Sequence, residues 1–209
     1  MPDMNNRIRM VIEETFQELS ISENERLEGL GRLERSIRLV EKCAGGYSGK
    51  DILDLGAGSG VHACAAKMLG AKKVIAVDKH VYPTSEDNHF RVTDEIFERF
   101  HSTWSTYGVE DHEADLDHAW DFNDAYFDLV VSNAVFEHLH GTHRHFFSEA
   151  LRVLKPGGRL LISTPNIGYL PKRVRFFVGK SPDWDLRDFY MSGTAFTGHT
   201  REFFVQELR

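Results

Sequence analysis

The chain has 209 residues, a formal net charge of −7 and a hydrophobic fraction of 41%. This length suits one domain, and the negative charge disfavours broad electrostatic binding to nucleic acid or to an anionic membrane surface. The two cysteines lack C-x-x-C spacing, so we expect no disulfide framework and a reducing, cytoplasmic location. No apolar run approaches the roughly 18 residues of a membrane span, so we expect no integral membrane segment.

Two amphipathic helices are predicted before the first strand. Apolar residues at helical spacing predict helices near residues 5–19 and 23–43, and Gly45 and Gly46 end the second one. We assign residues 1–48 to a helical cap, which packs either on the sheet or over a site.

A glycine-rich loop follows the first predicted strand, residues 52–55. Gly56, Gly58 and Gly60 come directly after this strand, and a helix is predicted over residues 59–69. Glycines let a backbone approach a ligand closely, and a helix N-terminus attracts negative charge. The loop therefore predicts a site for a nucleotide-like cofactor, without identifying which one.

Strands and helices then alternate through the middle of the chain. Continuous apolar strands separated by helices predict a doubly wound, mostly parallel α/β sheet covered on both faces. We assign residues 49–164 to this core and residues 165–209 to a lid on the acceptor side with a last helix. The further predicted strands are 73–77, 109–114, 127–132 and 159–163; the further helices are 87–100, 142–154, 170–178 and one from about Thr200; and Pro156-Gly157-Gly158 is predicted to be a turn.

The glycine spacing argues against a dinucleotide. A dinucleotide loop reads G-x-G-x-x-G, whereas here the order is G-x-G-x-G and Val61 stands where the third glycine belongs. Asp54 lies in the strand, two residues before Gly56. Asp78 follows the second strand, where an acid can accept hydrogen bonds from both ribose hydroxyls. The alternative is a surface aspartate that caps the next segment.

The loop and three later motifs resemble class I S-adenosylmethionine-dependent methyltransferases. D-L-G-A-G-S-G resembles motif I, and F-D-L-V-V-S-N-A-V-F-E-H-L at residues 127–139 resembles motif IV. L-R-V-L-K-P-G-G-R-L-L-I-S at residues 151–163 and the late G-H-T-R-E-F are also similar to this family. The closest resemblance is to the type 11, ubiquinone-biosynthesis O-methyltransferase-like branch. It implies a Rossmann-like fold and S-adenosylmethionine as methyl donor, with S-adenosylhomocysteine as its product.

The resemblance also implies which residues bind the cofactor. In this family the glycine loop holds the amino-acid end, the acid after strand 2 holds the ribose, and the residues after strand 3 hold the adenine. The carboxyl end of strand 4 lines the crevice where the strand order reverses. The implied cofactor-binding residues are Asp54, Gly56, Ala57, Gly58, Gly60, Asp78, Lys79, Asp115, Leu116, Ser132 and Asn133, with Asp111, Glu113 and Asp117 as alternatives to Asp115.

The acceptor side is less specific. Ser132-Asn133-Ala134-Val135 departs from the Asn/Asp-Pro-Pro-Tyr-like motif of methyltransferases that act on amino groups of nucleic acid. We therefore expect a small molecule as acceptor, methylated at a hydroxyl, and no nucleic acid as partner.

Two histidines are the catalytic candidates. In related O-methyltransferases a histidine in the region of His138 can lie near the acceptor, where a neutral imidazole could take the hydroxyl proton. His199 lies in the late motif, which also resembles a segment near the acceptor pocket. The alternatives are that His138 orients the cofactor or caps a helix, and that Thr200 is a helix N-cap.

The run of His138, His140, His143 and His145 suggests a metal site when taken alone. On a helix beginning near Thr142, however, His143 and His145 would point about 200° apart, so we expect no metal there. Separately, aromatic residues such as Trp104 and Tyr107, or those of residues 169–184, line an acceptor pocket or pack as core.

The family usually ends with an antiparallel strand pair that gives seven strands, and this sequence has no such pair before Arg209. Either the sequence is part of a longer polypeptide, or the core has five strands. We expect five strands, with the edge of strand 5 covered by residues 165–209 or by a second copy of the chain.

Two rival functions stay open at this point. A nicotinamide-dependent oxidoreductase would need the third dinucleotide glycine, which Val61 replaces. A non-catalytic, cofactor-binding partner subunit is compatible with the absent terminal strands.

Overall fold

The computed structural model describes residues 4–21, 23–79, 94–140, 143–182 and 199–208. The helices are α1 (Met4–Glu18), α2 (Glu23–Ala44), α3 (Val61–Met68), α4 (Asp94–Tyr107), α5 (His143–Val153) and α6 (Leu170–Phe177). The strands are β1 (Asp51–Leu55), β2 (Lys73–Asp78), β3 (Glu110–Glu113), β4 (Phe127–Asn133) and β5 (Leu154–Ser163). In the described ranges, 3-10 turns cover Phe136–His138 and Val205–Leu208.

The five strands form one parallel sheet in the order β3-β2-β1-β4-β5. The chain runs outward from β1 through β2 to β3, and then returns to place β4 on the other side of β1. The carboxyl ends of β1 and β4 therefore meet where the strand order reverses, which is the usual ligand-binding crevice of such sheets. The predicted doubly wound α/β fold is confirmed.

Each face of the sheet carries its own apolar core. Ile52 contributes to a core shared with α1, α2, α3 and α4, whereas Leu53, the next residue of β1, belongs to a second core that includes α5 residues. Every residue of β1 is buried, its two acids Asp51 and Asp54 included, and burial on both faces explains why its other three residues are apolar. The two N-terminal helices thus pack on a face of the sheet.

Helix α4 lies further along the chain than expected. It spans Asp94–Tyr107, whereas the predicted helix was 87–100; positions 87–93 lie outside the described residues. The extra turns bring Trp104 into the first core with only 1% of its surface exposed, because its indole packs beneath the glycine loop. The predicted helix end at Phe100 is therefore wrong.

Pro156, Gly157 and Gly158 are part of β5 and do not form a separate turn. Helix α5 ends at Val153, and Leu154 pairs at once with Phe127 of β4. The register shifts before Arg159 pairs with Leu129, so the proline and glycines sit in an irregular stretch of the strand. Such irregularities tolerate proline, which cannot donate to the ladder.

The helix predicted from about Thr200 is wrong. Both the amide and the hydroxyl of Thr200 donate to the carbonyl of Glu137, at 2.7 and 2.9 Å, so this segment is clamped to the turn after β4. Phe203 then forms an isolated bridge with Asn166 and is buried. The 3-10 turn begins only at Val205, because the amides of Thr200, Arg201 and Phe203 already donate to carbonyls of distant residues.

Within the described ranges, no further strand pairs with β5, so β5 is an edge strand there. The covering of this edge by the C-terminal region or by a second copy stays a prediction. None of the described helices is long and apolar enough to cross a membrane.

Candidate functional site

The glycine loop turns tightly at the carboxyl end of β1. Gly56, Gly58 and Gly60 have φ angles of +66°, +55° and +77°, in the left-handed region that side chains disfavour. The amides of Gly56 and Ala57 both donate to the carbonyl of Val77, at 2.7 and 3.0 Å. The loop is thus fixed beside the end of β2 and leads directly into α3.

Close packing supports the loop from two sides. A Cβ at Gly60 would clash with the indole of Trp104, and one at Gly56 would clash with Val135. The Trp104 indole N–H also donates to the carbonyl of Ser59 at 3.0 Å. Of the two alternatives left open for Trp104, the structure favours core packing, since this side chain supports the loop from below and is fully buried.

Asp78 is bonded to the loop itself. Its Oδ2 accepts from the amide of Gly58 at 2.7 Å, and its Oδ1 accepts from the amide of Lys79 at 2.8 Å. The carboxylate is half-buried at the end of β2, and each oxygen keeps a further lone pair for a ligand. The sequence-predicted Asp78, Lys79 and glycine loop are therefore brought together.

Asp115 is joined to this group through Lys79, whose Nζ lies 3.1 Å from Asp115 Oδ1. Burial opposes the ionisation of Asp115, but the amide of Asp117 and the Lys79 ammonium outweigh it and lower the pKa of this carboxyl. Asp115 is thus an ionised acceptor beyond the end of β3. The neighbouring Leu116 is 5% exposed and belongs to the second apolar core.

A buried polar chain lies behind the loop, and sequence reasoning missed two of its three members. His62, in the first turn of α3, has Nδ1 at 3.4 Å from Asp54 Oδ2 and Nε2 at 2.9 Å from the hydroxyl of Tyr47. All three side chains are at most 5% exposed. Burial, then the charges of Asp54 and Glu41, raise the pKa of Tyr47 well above its ordinary value, so it stays a neutral phenol.

In the described part of the chain, the buried Asp54 carboxylate lacks a complete set of hydrogen-bond donors. Its Oδ2 has no hydrogen-bond partner among the described residues, although the side chain is almost fully buried. The Asp54 carboxylate also affects Cys64. Burial, and to a smaller extent the negative charge of Asp54, raises the pKa of this thiol to about 12. A buried anion of this kind favours a positively charged ligand group nearby.

Ser132 and Asn133 end β4 on the other side of the crevice. Asn133 Oδ1 accepts from the hydroxyls of Ser36 and Ser163, each at 3.0 Å, so α2, β4 and β5 converge on this amide. Its Nδ2 and the Ser132 hydroxyl are buried and lack hydrogen-bond partners in the part of the chain that the structure describes. The amide N–H groups of Asn133 thus have no acceptor among the described residues.

His138 and His199 come together although 61 positions separate them in sequence. Their ring centroids are 5.0 Å apart, with the planes at 74°. The bonds from Thr200 to the Glu137 carbonyl hold the two segments against each other. The two catalytic candidates therefore share one location, just after the carboxyl end of β4.

The late motif surrounds His199 with charge. Nδ1 of His199 lies 2.8 Å from Glu202 Oε1, and the ammonium of Lys172 contacts the other oxygen of Glu202. Burial opposes ionisation of Glu202, but the bonds from Lys172 and His199 prevail and lower its pKa.

The remaining histidines of the H-x-H-x-x-H-x-H run do not join His138. His143 packs on the ring of Phe136, and its Nε2 lies 3.0 Å from the carbonyl of that residue. His140 is exposed. That the run as a whole holds no metal ion stays a prediction.

Some site residues carried little signal in the sequence. His62 stands two positions after the last loop glycine, and its partner Tyr47 precedes β1 in a glycine-rich turn. Ser36 lies in the middle of α2, where a serine is normally read as part of a polar helix face. Only the folded arrangement brings Ser36 to Asn133 and Tyr47 to His62.

The chain matches a known family across its central part. Residues 53–162 fit the family model described as a methyltransferase domain, of type 11. The matched region runs from β1 to β5 and so includes the glycine loop, Asp78, Asp115 and Asn133.

Two curated relatives give the same indication. A Mycolicibacterium smegmatis protein described as a probable S-adenosylmethionine-dependent methyltransferase is 32% identical over 82% of this chain and 51% of its own length. A ribosomal protein L11 methyltransferase from Dictyoglomus thermophilum is 33% identical over 55% of this chain and 32% of its own length. The chain thus spans about half or less of the length of these relatives.

Solved structures support the fold. YcgJ from Bacillus subtilis has a TM-score of 0.56 at 23% identity, covering 83% of this chain and 64% of that one. Haemonchus contortus phosphoethanolamine N-methyltransferase 2, in complex with S-adenosyl-L-methionine, has a TM-score of 0.51 at 21% identity, covering 75% and 35%. At these identities the likeness concerns the architecture.

Proposed function

The chain belongs to the type 11 methyltransferase domain family of S-adenosylmethionine-dependent proteins, and on that premise we propose that it transfers a methyl group from S-adenosylmethionine to an oxygen atom of a small molecule. The observation that carries the proposal is the hydrogen bond from Gly58 to Asp78, which joins the glycine loop after β1 to the end of the neighbouring strand β2. It brings the glycine turn to the Asp78 carboxylate, which we propose as the acceptor for the ribose hydroxyls.

The cofactor would extend along the carboxyl ends of the strands. Its methionine end would lie over the loop from Gly56 through Ala57 to Gly60, where the N-terminus of α3 favours its carboxylate. The buried Asp54, whose Oδ2 lacks a donor among the described residues, suits the ammonium of the same end. Ser132 and Asn133 would line the opposite wall.

The nucleoside would lie on the β2 and β3 side. Asp78 and Lys79 would face the ribose hydroxyls, and Asp115 would accept from the adenine amino group. The ion pair between Lys79 and Asp115 links the two positions, and the Lys79 ammonium helps to lower the pKa of Asp115. Leu116 would contribute through the position of the loop that carries Asp115, because its own side chain is almost fully buried.

Methyl transfer is a direct displacement, so the alignment of the acceptor supplies much of the rate. The acceptor oxygen bonds to the methyl carbon as the carbon–sulfur bond breaks, and the products are S-adenosylhomocysteine and a methyl ether. The hydroxyl proton must leave during the reaction. We assign its removal to the side of the crevice where His138 and His199 meet, since imidazole takes up protons near neutral pH.

Two indirect observations support a small molecule as the methyl acceptor. The net charge of −7 disfavours nucleic acid, and β4 ends without the motif that holds an amino group of a base. The L11 methyltransferase relative, by its name, acts on a protein. The assay must therefore distinguish a protein acceptor from a small-molecule acceptor. A cytoplasmic location and a second copy of the chain at the β5 edge stay predictions.

The test is transfer of a labelled methyl group from S-adenosylmethionine to a panel of small alcohols and phenols, small amines, and protein. We expect label in a methyl ether, with a lower kcat in His138→Gln and His199→Gln and unchanged affinity for S-adenosylhomocysteine. The matched control His140→Gln, an exposed histidine of the same run, should keep its rate. Label only in amines or protein would overturn O-methylation, and cofactor binding without transfer to any acceptor would favour the non-catalytic subunit.

A further inference from the structure

We propose that Glu137, His138 and His199 form a binding site for a divalent transition-metal ion. The three residues come from the 3-10 turn after β4 and from the late segment clamped onto it. One potential ligand atom from each residue lies within 4.8 Å of the other two. Sequence reasoning sought a metal only in the histidine run, whereas this site takes one histidine from that run and joins it to a distant one.

The Glu137 side chain is the main evidence. It is 1% exposed, and neither carboxylate oxygen has a hydrogen-bond partner in the described part of the chain. Nε2 of His199 lies 4.0 Å from Oε1, too far for a hydrogen bond. A carboxylate buried without donors is strongly unfavourable, so such groups in proteins are normally paired or bound to metal.

The two imidazoles stand at suitable separations. Ligand bonds of about 2.0–2.2 Å put any two donor atoms of one ion within roughly 4.4 Å of each other. The donor atoms lie within 4.8 Å of one another, so they meet this requirement to within a few tenths of an ångström, which side-chain rotation can close. The ring planes of His138 and His199 are inclined at 74°, so the two rings are not stacked on each other.

Glu202 is placed to orient His199 as a metal ligand. It lies against Nδ1 of His199 at 2.8 Å and is itself held by Lys172. A carboxylate on the second ring nitrogen is the usual outer partner of a metal-bound imidazole, because it fixes the tautomer and the direction of the other nitrogen. That other nitrogen, Nε2, is the one nearer to Glu137.

The ligand chemistry selects the class of ion. Two imidazole nitrogens and one carboxylate oxygen suit Zn²⁺ or Mn²⁺ better than Ca²⁺ or Mg²⁺, which prefer oxygen ligands alone. Three protein ligands leave a position for an oxygen of another molecule.

One consequence rests on the proposed function, although ion binding itself does not. A hydroxyl of the acceptor bound at the open position would lose its proton more readily, as metal-bound water does. The proton would leave to solvent water, and the oxygen would then attack the methyl carbon. With the ion bound, His138 and His199 would act as ligands, and this route would replace the direct uptake of the proton by an imidazole that is proposed for the ion-free site.

The competing arrangement is a protonated His199 paired with Glu137, which requires no ion. The test is calorimetric titration of the chelator-stripped chain with ZnCl₂ and, separately, MnCl₂, without cofactor. We expect one equivalent of at least one ion to bind, with an affinity at least ten-fold lower in Glu137→Gln and in His199→Gln. His140→Gln is the matched control and should bind as the parent does.

Circular dichroism verifies that each variant is folded, and His138→Gln replaces Glu137→Gln if the buried amide prevents folding. Failure of both ions to bind the folded parent would overturn the site, as would binding that persists in all three ligand variants. S-adenosylhomocysteine is titrated into the same stripped sample. Retained cofactor binding with no ion binding removes only the metal site, whereas lost cofactor binding would count against the proposed function.

Discussion

The carboxylate of Asp78 accepts a hydrogen bond from the amide of Gly58 over 2.7 Å, and so joins the end of β2 to the middle of the glycine loop. Gly58 has a left-handed φ of +55°, and nothing lies within 4 Å of the position of a Cβ there. The open side of this residue is therefore the side on which a ligand can approach. Asp78 both shapes the loop and presents oxygens to the same space.

Replacing Asp78 by alanine should weaken the binding of S-adenosylhomocysteine by about 1–3 kcal/mol, or roughly 5- to 150-fold in Kd. The variant loses the acceptor for Gly58 and the one proposed for the ribose. Isothermal titration calorimetry measures the change. Asp121→Ala, at an exposed position, should bind as the parent does. Equal affinities of the two variants would remove Asp78 from the site.

Gly60→Ala should destabilise the fold far more than Gly157→Ala. Both glycines have left-handed φ angles, of +77° and +81°, which costs a side chain about 1–2 kcal/mol. At Gly60 the added methyl also clashes with Trp104, and such overpacking costs typically about 1–3 kcal/mol more. At Gly157 nothing lies within 4 Å. Urea unfolding gives both free energies, and equal losses would show that Trp104 does not buttress the loop.

Tyr47→Phe should lower the free energy of unfolding by about 1–3 kcal/mol. The substitution keeps the ring but removes the hydroxyl that lies 2.9 Å from His62 Nε2, and so leaves a buried imidazole nitrogen without a partner. Thermal unfolding compares it with Tyr126→Phe, where only a 3.4 Å contact with Lys73 is lost. If both variants lost equal stability, the buried chain to Asp54 would have no special role.

Glu149 should account for part of the loss of stability in acid. The hydrogen bonds from Arg152 lower the pKa of Glu149 below its ordinary value of 4.5, against burial, which raises it. Above the ordinary value the carboxyl is ionised in both states, and this stabilisation is fully present. As the pH falls towards the folded pKa, the unfolded chain binds the proton first and the stabilisation is lost.

The Glu149→Gln variant should therefore lose less stability than the parent when urea unfolding is measured from pH 7 down to pH 3. Glu98→Gln changes an exposed carboxyl of α4 and should keep the acid dependence of the parent. Parallel pH profiles for Glu149→Gln and the parent would contradict the role assigned to the Arg152 pair.

The fold could be read from the sequence where local pattern and packing agree. The apolar runs of β1 and β4 are buried on both faces, so their residues record the environment directly. The prediction of a helix at Thr200 is wrong. A local cap pattern cannot reveal that the carbonyl of Glu137, 63 residues away, accepts the hydrogen bonds of Thr200. Tertiary partners of backbone groups leave no periodic signal.

The residues of the candidate site likewise fall into those that the sequence could identify and those that it could not. Gly56, Gly58, Gly60 and Asp78 could be identified because a tight turn demands glycine and an acid follows a strand at a fixed place. The hydrogen-bond partners of His62 and Asn133 could not, since Tyr47 and Ser36 come from elements outside every motif. Polar residues that serve a site from a distance look like ordinary surface residues until the chain is folded.

The most direct measurement is the titration of the folded chain with S-adenosylhomocysteine by isothermal calorimetry, beside a titration with NADH followed by fluorescence quenching. We expect saturable binding of one S-adenosylhomocysteine per chain and none of NADH, because Val61 replaces the third glycine of a dinucleotide loop. Absence of heat with S-adenosylhomocysteine from a folded sample, or binding of NADH in its place, would contradict the assignment of this crevice to the methyl donor.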